Sequence, residues 1–329
     1  MRLKTESVKA GITMEQAYKF VGITRQGFHE KIKRHEREKK LISSIELLVN
    51  KYRKERDRRA GSRSLYHNLE IKSKYNLGVT RFERLLSENK LCLAPLRIKI
   101  VTTKSDLQSW NYANMISGKS ISNINQVVAG DLTYVYLGTH LYYVFSLMDL
   151  YSNRIVGMSV SERMRAKDAL EAYFQWKSLR NGHRIKGCVH HTDGGSQYFS
   201  STYLSELKSC EIQVSRAKTC LENGYAEQWN GLLKNHFIPT IKYQNVKNLT
   251  EEIKQITYFY NNERKQEQLG WQTPVQYETY IGTLSEKQKP VKRLYNFEDP
   301  KDRGFGGIVG QKLLSKRRAP KKVLVPQSL

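Results

Sequence analysis

The chain has 329 residues, enough for two or three domains with hydrophobic cores. It carries 56 Lys and Arg against 31 Asp and Glu, a net charge of +25, so a polyanion is the expected partner and nucleic acid is the commonest one. Charge alone leaves a ribosome-associated or membrane-surface protein as the alternative. Residues 1–100 carry 25 basic and 11 acidic side chains and residues 284–329 carry 12 and 4, whereas the middle is nearly neutral. The two basic ends are therefore the expected contacts for a polyanion.

No run of about 18 apolar residues is present, which disfavours a membrane-spanning helix. The N-terminus lacks the apolar segment of a secretory signal. The four cysteines, Cys92, Cys188, Cys210 and Cys220, form no CxxC pair. Free thiols and a cytosolic protein are the simplest interpretation.

Residues 14–35 predict a helix-turn-helix. Gly22 permits the turn and Thr24 can cap the second helix. The apolar face of the first helix is predicted to comprise Ala17, Phe20 and Val21. The second helix would leave exposed, for a DNA groove, Arg25, Gln26, His29, Lys33 and Arg34. An ordinary helical hairpin with a solvated charged face explains the pattern equally well.

Four further regions follow from composition and periodicity. Residues 36–59 predict a long charged helix that completes an N-terminal region 1–59, and residues 60–100 predict a second small helical DNA-binding unit that includes Arg63. Residues 101–121 are typical of a linker, and residues 283–329 of a basic C-terminal tail.

The middle of the chain is rich in β-forming residues. Residues 127–136, 141–149 and 154–160 predict three successive antiparallel strands. The remaining predicted elements are a helix at 166–180, a strand at 186–191, and helices at 200–209, 222–236 and 249–262. We expect the first of these helices to face inward through Ala169, Leu170, Tyr173 and Phe174. Strands followed by alternating helices indicate an α/β sheet with helices packed on it.

Three carboxylates stand at positions that can converge. Asp131 lies within the first strand, Asp193 just past the fourth, and Glu227 in a helical stretch. Grouped acids repel one another, and hard divalent cations with oxygen ligands relieve that cost. Two such ions support in-line phosphoryl transfer. With 31 acids in the chain, however, spacing alone leaves open that these are surface or capping residues.

Five motifs occur in a fixed order: 125–134 (NQVVAGDLTY), 148–157 (MDLYSNRIVG), 191–198 (HTDGGSQY), 222–227 (ENGYAE), and 260–264 (YNNER) with 269–270 (LG) and 273–274 (TP). Together they resemble the insertion-sequence transposases of the retroviral-integrase (DDE) superfamily, of the type whose catalytic part is encoded by a second reading frame. The resemblance covers about residues 122–282, which would form an integrase-like catalytic core.

The resemblance implies a ribonuclease H-like α/β core, a mixed five-stranded sheet flanked by helices, with an all-α helix-turn-helix region before it. It implies that Asp131, Asp193 and Glu227 are catalytic and hold two Mg²⁺ or Mn²⁺ ions. It further implies binding of double-stranded DNA at transposon ends and target, strand cleavage and strand transfer, a homodimer or higher oligomer on DNA, and a bacterial, nucleoid-associated location.

Two departures from the family pattern concern single residues. The 33 residues between Asp193 and Glu227 are about two fewer than is common in the family, and Glu222 is a competing acid. Asn223 and the segment 232–234 keep the register of Glu227. A histidine common in the closing motif is replaced by Gln266, which we expect to alter a local contact.

The neighbours of the carboxylates have expected roles of their own. Gly194 and Gly195 would serve a tight chain path, and Asp149 would be structural. Candidate DNA contacts or orienting residues are Gln197, Tyr198, Asn223 and Lys234. Packing is the expected role of Tyr134, Tyr142 and Tyr143. Two alternatives to a transposase remain: a non-catalytic helix-turn-helix regulator, and a ribonuclease H-like nuclease that cuts without joining.

Overall fold

A computed structural model of the chain describes residues 11–94, 112–137, 139–181, 183–218, 220–296 and 299. The predicted basic tail beyond residue 299 and most of the predicted linker lie outside these residues. None of the helices described is both long enough and apolar enough to cross a membrane.

The chain begins with the predicted helix-turn-helix, formed by α1 (Met14–Val21) and α2 (Arg25–Glu55). Gly22 ends α1 in the left-handed region at φ 68°. Thr24 caps α2, because its side chain accepts a hydrogen bond from the Gly27 amide. The predicted turn and cap are therefore confirmed.

Two details of this region differ from expectation. Ala17 is buried as predicted, but Phe20 and Val21 are 90% and 49% exposed, so the predicted apolar face is wrong for these two residues. The two helices also meet through Tyr18 and Phe28, whose rings lie 5.3 Å apart. Secondly, α2 does not stop near residue 35. It continues for 31 residues because no proline or interior glycine follows its first turn.

The end of α2 packs with three short helices, α3 (Ser62–Asn68), α4 (Ile71–Tyr75) and α5 (Val79–Glu88). Their shared core consists of buried side chains that include Ile45, Val49, Leu65, Phe82 and Leu86. A single hydrophobic cluster therefore spans the division that the sequence placed at residue 60.

The middle of the chain forms a five-stranded sheet. Its strands are β2 (Val127–Leu137), β3 (His140–Asp149), β4 (Ile155–Ser161), β5 (Val189–Thr192) and β6 (Gln213–Arg216), in the order β4-β3-β2-β5-β6. A two-residue strand, β1 (Ser120–Ile121), precedes them. The β2–β3 and β3–β4 pairs are antiparallel, and the β2–β5 and β5–β6 pairs are parallel. The mixed five-stranded sheet predicted from the sequence is confirmed.

Helices cover both faces of the sheet. One face packs against α6 (Ala166–Leu179) and α7 (Ser201–Ser209), the other against α8 (Gly224–Leu232) and α9 (Val246–Asn262). The inward position predicted for Phe174 is wrong, since this side chain is 46% exposed while Trp176 is fully buried. The α/β core of ribonuclease H-like type, preceded by an all-α region, is thus the observed fold.

The last elements close the core. α10 (Pro274–Gly282) is followed by β7 (Lys292–Arg293), which pairs with β1. Ile116 and Leu294 are buried in the same cluster as the sheet, so the core extends beyond the predicted limits 122–282 on both sides.

Asp149 is structural, as expected. Its carboxylate is fully buried and accepts hydrogen bonds from the backbone amides of Asn125 and Tyr151. Gln266 makes the local contact expected of it: its carbonyl oxygen accepts a hydrogen bond from the Asn153 side chain at 3.2 Å.

Candidate active site

The sheet register brings Asp131 and Asp193 side by side. Parallel strands β2 and β5 pair Gly130 with Thr192, and the two aspartates are the next residue on each strand. β5 ends at that pair, so Asp193 lies on the loop that follows the strand. The two carboxylates therefore meet at one edge of the sheet, as the sequence predicted.

Helix α8 supplies the third acid. It packs on β2 and carries Glu227 in its first turn, where this side chain is exposed while Asp131 is buried. The competing acid, Glu222, is engaged elsewhere: its carboxylate accepts hydrogen bonds from the Asn114 side chain at 2.8 Å and the Lys218 amide at 3.0 Å. The structure therefore favours Glu227 over Glu222.

The three carboxylates interact electrostatically. Burial, followed by the negative charges of Asp193 and Glu227, raises the pKa of Asp131 from 3.8 to about 8. Burial also raises the pKa of Asp193. Partial desolvation and the charge of Asp193 raise the pKa of Glu227. A group of acids that resists ionisation in this way is an electrostatic site for a cation.

Two asparagines hold the strand and the helix together. The Asn230 side chain donates a 2.8 Å hydrogen bond to Asp131 Oδ2, while the Leu132 amide donates to Asp131 Oδ1. The Asn223 side chain donates to the Gly130 carbonyl oxygen at 3.2 Å. Asn223 thus connects the start of α8 to the residue before Asp131. It makes no side-chain capping bond, contrary to the capping role considered for it.

Sequence reasoning missed Asn230. The signal was present, since Asn230 follows Glu227 by three residues and therefore lies on the same face of a helix. The strand β6 was missed as well. It ends in Arg216, whose positive charge lowers the pKa of Asp193 against the effect of burial.

The loop after β5 is tight around Gly195. Its amide donates to Asp193 Oδ1 at 3.1 Å, and a Cβ at this position would overlap the Gln197 side-chain amide and lie 3.0 Å from Asp193 Oδ1. Glycine is needed here for close approach, as the sequence predicted.

Lys234 also reaches the site. It is half-buried, and burial lowers its pKa while the charge of Asp131 acts to raise it. Its Nζ atom lies 4.1 Å from the centroid of the Tyr134 ring. A cation is therefore held beside the carboxylates, in contact with an aromatic ring.

Three predicted DNA contacts are buried instead. Gln197, Tyr198 and Asn223 are 5%, 2% and 2% exposed, so they offer little surface to DNA here, and their contact with DNA stays a prediction. Tyr198 packs in an aromatic cluster with His190 and Tyr203 beneath the aspartates. These polar residues face inward because the chain turns back at Gly195.

The other predicted DNA contacts are exposed. Arg63 forms ion pairs with Glu83 and Glu267 at 3.2 and 3.5 Å, which partly neutralise it. On α2, away from the carboxylates, the solvent-exposed side chains include Arg25, Gln26, His29, Lys33 and Arg34.

The donor set suits a hard divalent cation, because it consists of carboxylate oxygens. Within the described parts of the chain, no three His, Cys, Asp or Glu side chains are already close enough to hold one ion together. Binding would therefore require the carboxylates to draw closer, which a cation favours by removing their repulsion.

Comparisons with known proteins agree with this geometry. Two family models, each described as an integrase core domain, match residues 122–220 and 208–274. The chain is 33% identical over 159 residues to the transposase for insertion sequence element IS904 of Lactococcus lactis, covering 47% of this chain and 62% of that protein. It is 30% identical over 198 residues to the insertion element IS600 uncharacterized 31 kDa protein of Shigella sonnei, covering 59% of this chain and 72% of that protein.

The chain belongs to the insertion-sequence transposases with an integrase core domain. The catalytic core domain of HTLV-2 integrase, solved in complex with magnesium, is similar at 19% identity with a TM-score of 0.38, over 47% of this chain and 97% of that one. The integrase-core matches begin at residue 122 and end at residue 274, so they contain all three carboxylates of this transposase family member.

Proposed function

We propose that this transposase family member cleaves DNA at the ends of its insertion element and joins those ends to a target strand. The observation that carries the proposal is the convergence of Asp131, Asp193 and Glu227 at one edge of the sheet. Burial and mutual repulsion raise their pKa values, and the nearby charges of Arg216 and Lys234 do not fully compensate for this.

Asp131, Asp193 and Glu227 would hold Mg²⁺ or Mn²⁺, two ions per site in this proposal. Two bound ions would act as Lewis acids on the attacking and leaving oxygens of an in-line displacement at phosphorus. Asn230 fixes the orientation of the Asp131 carboxylate through its 2.8 Å hydrogen bond. Lys234 would bind a phosphate oxygen of the cut strand near the carboxylates.

The proposed chemistry consists of two displacements. In the first, a water oxygen attacks phosphorus, the bond to the 3′ oxygen breaks, and a 3′-hydroxyl is released. In the second, that 3′-hydroxyl attacks a phosphorus of another strand and displaces its 3′ oxygen. Neither step needs a protein nucleophile, so no covalent link between the chain and DNA is proposed.

The basic helices would bind the DNA ends. The exposed face of α2 would bind largely through phosphate contacts, with few base contacts. Because two ends have to be joined to one target, we expect a homodimer or a higher oligomer on double-stranded DNA. In this proposal the protein works in the bacterial cytoplasm on nucleoid DNA.

The test uses labelled duplexes that carry the ends of the insertion element, incubated with Mg²⁺ or Mn²⁺. Wild-type protein is expected to give cleaved and strand-joined products. Asp131→Ala, Asp193→Ala and Glu227→Ala should each abolish both products while DNA binding persists.

Two controls sharpen this test. Glu251→Ala removes an exposed carboxylate on α9 and should leave product formation unchanged. Glu222→Gln keeps acceptors for the loop contacts and should retain most activity. Tight binding without cleavage at any metal concentration would instead indicate a DNA-binding regulator, and cleavage without joining would indicate a nuclease.

A further inference from the structure

One edge of β2 is open beside the carboxylates. β5 pairs with β2 only as far as Gly130, so from Asp131 to Leu137 the described sheet offers β2 a partner on the β3 side alone. The Tyr243 hydroxyl donates to the Tyr136 carbonyl oxygen at 2.7 Å and steadies this projecting segment. A surface next to the proposed reaction centre is thus formed by an extended strand.

Two tyrosines occupy this segment. Tyr134 is 49% exposed and Tyr136 is 61% exposed, so the packing role predicted for Tyr134 is wrong. Their rings lie 5.7 Å apart in an edge-to-face arrangement at 78°. In contrast, Tyr142 on the neighbouring strand is 6% exposed and packs in the core as expected. The two rings thus form an aromatic pair that is partly exposed to solvent, and Lys234 Nζ lies 4.1 Å from the centroid of the Tyr134 ring.

Lys234 connects this pair to the carboxylates. Asp131 and Tyr134 are three residues apart on one strand, so their side chains leave opposite faces of the sheet. Lys234 bridges the open edge: its Nζ lies over the Tyr134 ring, and its charge acts on Asp131. Aromatic rings, a cation and the acids therefore form one continuous surface.

We propose that Tyr134 and Tyr136 form a stacking platform for unpaired nucleobases of the DNA strand that is cut, with Lys234 on the adjoining phosphate. This inference rests on the proposed function and adds to it a site for bases. Every base presents a flat π-face, so such stacking requires no particular sequence. The bases must be unpaired, because rings on a protein surface cannot stack on a base inside an intact duplex.

The distances set which bases are involved. A strand rises about 3.3 Å per residue, which puts Tyr134 about 10 Å and Tyr136 about 17 Å along the strand from Asp131. At the duplex spacing of about 3.4 Å per nucleotide, the platform lies at most about three to five base steps from the scissile phosphate, and a more extended unpaired strand would reach it in fewer. We therefore place the stacked bases in a short melted segment beside the cleavage point.

DNA fits this surface better than a second copy of the chain does. An apolar protein partner would bury the Lys234 ammonium group away from water without a compensating charge, which is unfavourable. A strand of DNA offers a phosphate to the cation and bases to the rings at the same time.

The test uses duplexes of the insertion-element end whose cut strand continues into a single-stranded overhang containing 2-aminopurine, whose fluorescence falls on stacking. Binding of the wild-type protein should quench the probe. Tyr136→Ala should remove the quenching and weaken overhang binding about ten- to a hundredfold, the range expected for losing one base–aromatic stack. Tyr136→Trp keeps an aromatic ring and should therefore retain both the quenching and the overhang affinity.

The matched control is Tyr258→Ala, which removes a tyrosine that is 60% exposed on α9 and should leave quenching unchanged. An overhang of abasic sites should bind wild type and Tyr136→Ala equally. Equal quenching in wild type and Tyr136→Ala would overturn the platform even if cleavage and joining proceed. A Tyr136→Ala protein that loses self-association but keeps quenching would overturn it in favour of an interface between copies.

Failure of the proposed function gives a different result. If the wild-type protein forms no cleaved product under any condition while the overhang probe is still quenched, the chain is a DNA-binding protein and the platform stands without the chemistry.

Discussion

Asp57 connects the N-terminal helices to the core that carries the carboxylates. It is fully buried just after α2, and its two oxygens lie 2.6 Å from His236 Nδ1 and 3.3 Å from Arg264 Nε. His236 follows α8, and Arg264 follows α9. The Arg58 amide adds a backbone hydrogen bond to the His236 carbonyl oxygen at 3.1 Å. Asp57 thus joins three parts of the chain that are distant in sequence.

Asp57→Ala should lower the free energy of unfolding by about 3–5 kcal/mol, because it leaves the Arg264 guanidinium, 14% exposed, without its buried partner. Two hydrogen bonds to charged groups, at about 1.5–3 kcal/mol each, give a similar total. The measurement is urea unfolding followed by circular dichroism and tryptophan fluorescence, and coincident transitions would justify a single free energy.

The control is Glu211→Ala. Glu211 forms a shorter ion pair, 2.7 Å from Lys186, but both side chains are about two-thirds exposed. Such a pair contributes about 0–1 kcal/mol. If Asp57→Ala lowers the free energy of unfolding by no more than Glu211→Ala does, burial does not determine the strength of these ion pairs, and our reasoning is refuted.

The Asp57 contribution should also depend on pH. Burial alone would raise the pKa of Asp57, but the hydrogen bond from His236 and the charge of Arg264 outweigh it, and the net pKa lies below the usual 3.8. A carboxyl group whose pKa is lowered on folding stabilises the protein fully above its unfolded pKa. The difference between wild type and Asp57→Asn should therefore be constant above about pH 5 and shrink as pH falls below 4.

Three further predictions concern the candidate active site. Asn230→Ala should lower the cleavage rate about ten- to a hundredfold with little change in DNA affinity, because Asp131 loses its orienting hydrogen bond. Single-turnover kinetics measures this rate, and an unchanged rate would contradict the orienting role of Asn230. Gly195→Ala should push aside the Gln197 side chain and crowd Asp193 Oδ1, and so lower the cleavage rate while the far-ultraviolet circular dichroism spectrum stays native; an unchanged rate would show that these side chains can move without affecting the reaction. Mg²⁺ or Mn²⁺ should raise the thermal unfolding midpoint of wild type but not of Asp131→Asn, and equal shifts in both would place the ion elsewhere.

Much of the sheet could be predicted because its strands are long and rich in β-branched and aromatic residues. β2, β3 and β4 follow the predicted ranges to within about two residues. β6 has four residues, QVSR, without an apolar pattern, and it is a strand only because β5 pairs with it. Such short elements are defined by tertiary pairing, which local sequence does not contain.

In the candidate site, too, some residues could be predicted from local sequence and others could not. Asp131 and Asp193 could be found because each ends or interrupts a recognisable strand, and their motifs are specific. The bond from Asn230 to Asp131 joins residues 99 positions apart, so no local pattern contains it. Gln197 and Tyr198, the candidate DNA contacts of the same motif, are 5% and 2% exposed because the chain turns at Gly195, where the Tyr198 amide donates to the Gly195 carbonyl oxygen, and the motif alone does not reveal this burial.

The uninterrupted helix α2 has a mechanical consequence. Its exposed N-terminal turns present Arg25 and His29 to solvent, while its other end is fixed in the core through Ile45 and Val49. The length of such a rigid helix determines both how far its N-terminal end lies from the buried end and which way that end faces. Each residue added to its middle would move the N-terminal end by about 1.5 Å and rotate it by about 100° about the helix axis. Seven added residues, close to two full turns, would nearly restore the original heading, whereas two would turn the tip to the opposite side. The direction in which Arg25 and His29 face, relative to the buried end of α2, is therefore determined by the number of residues in one helix.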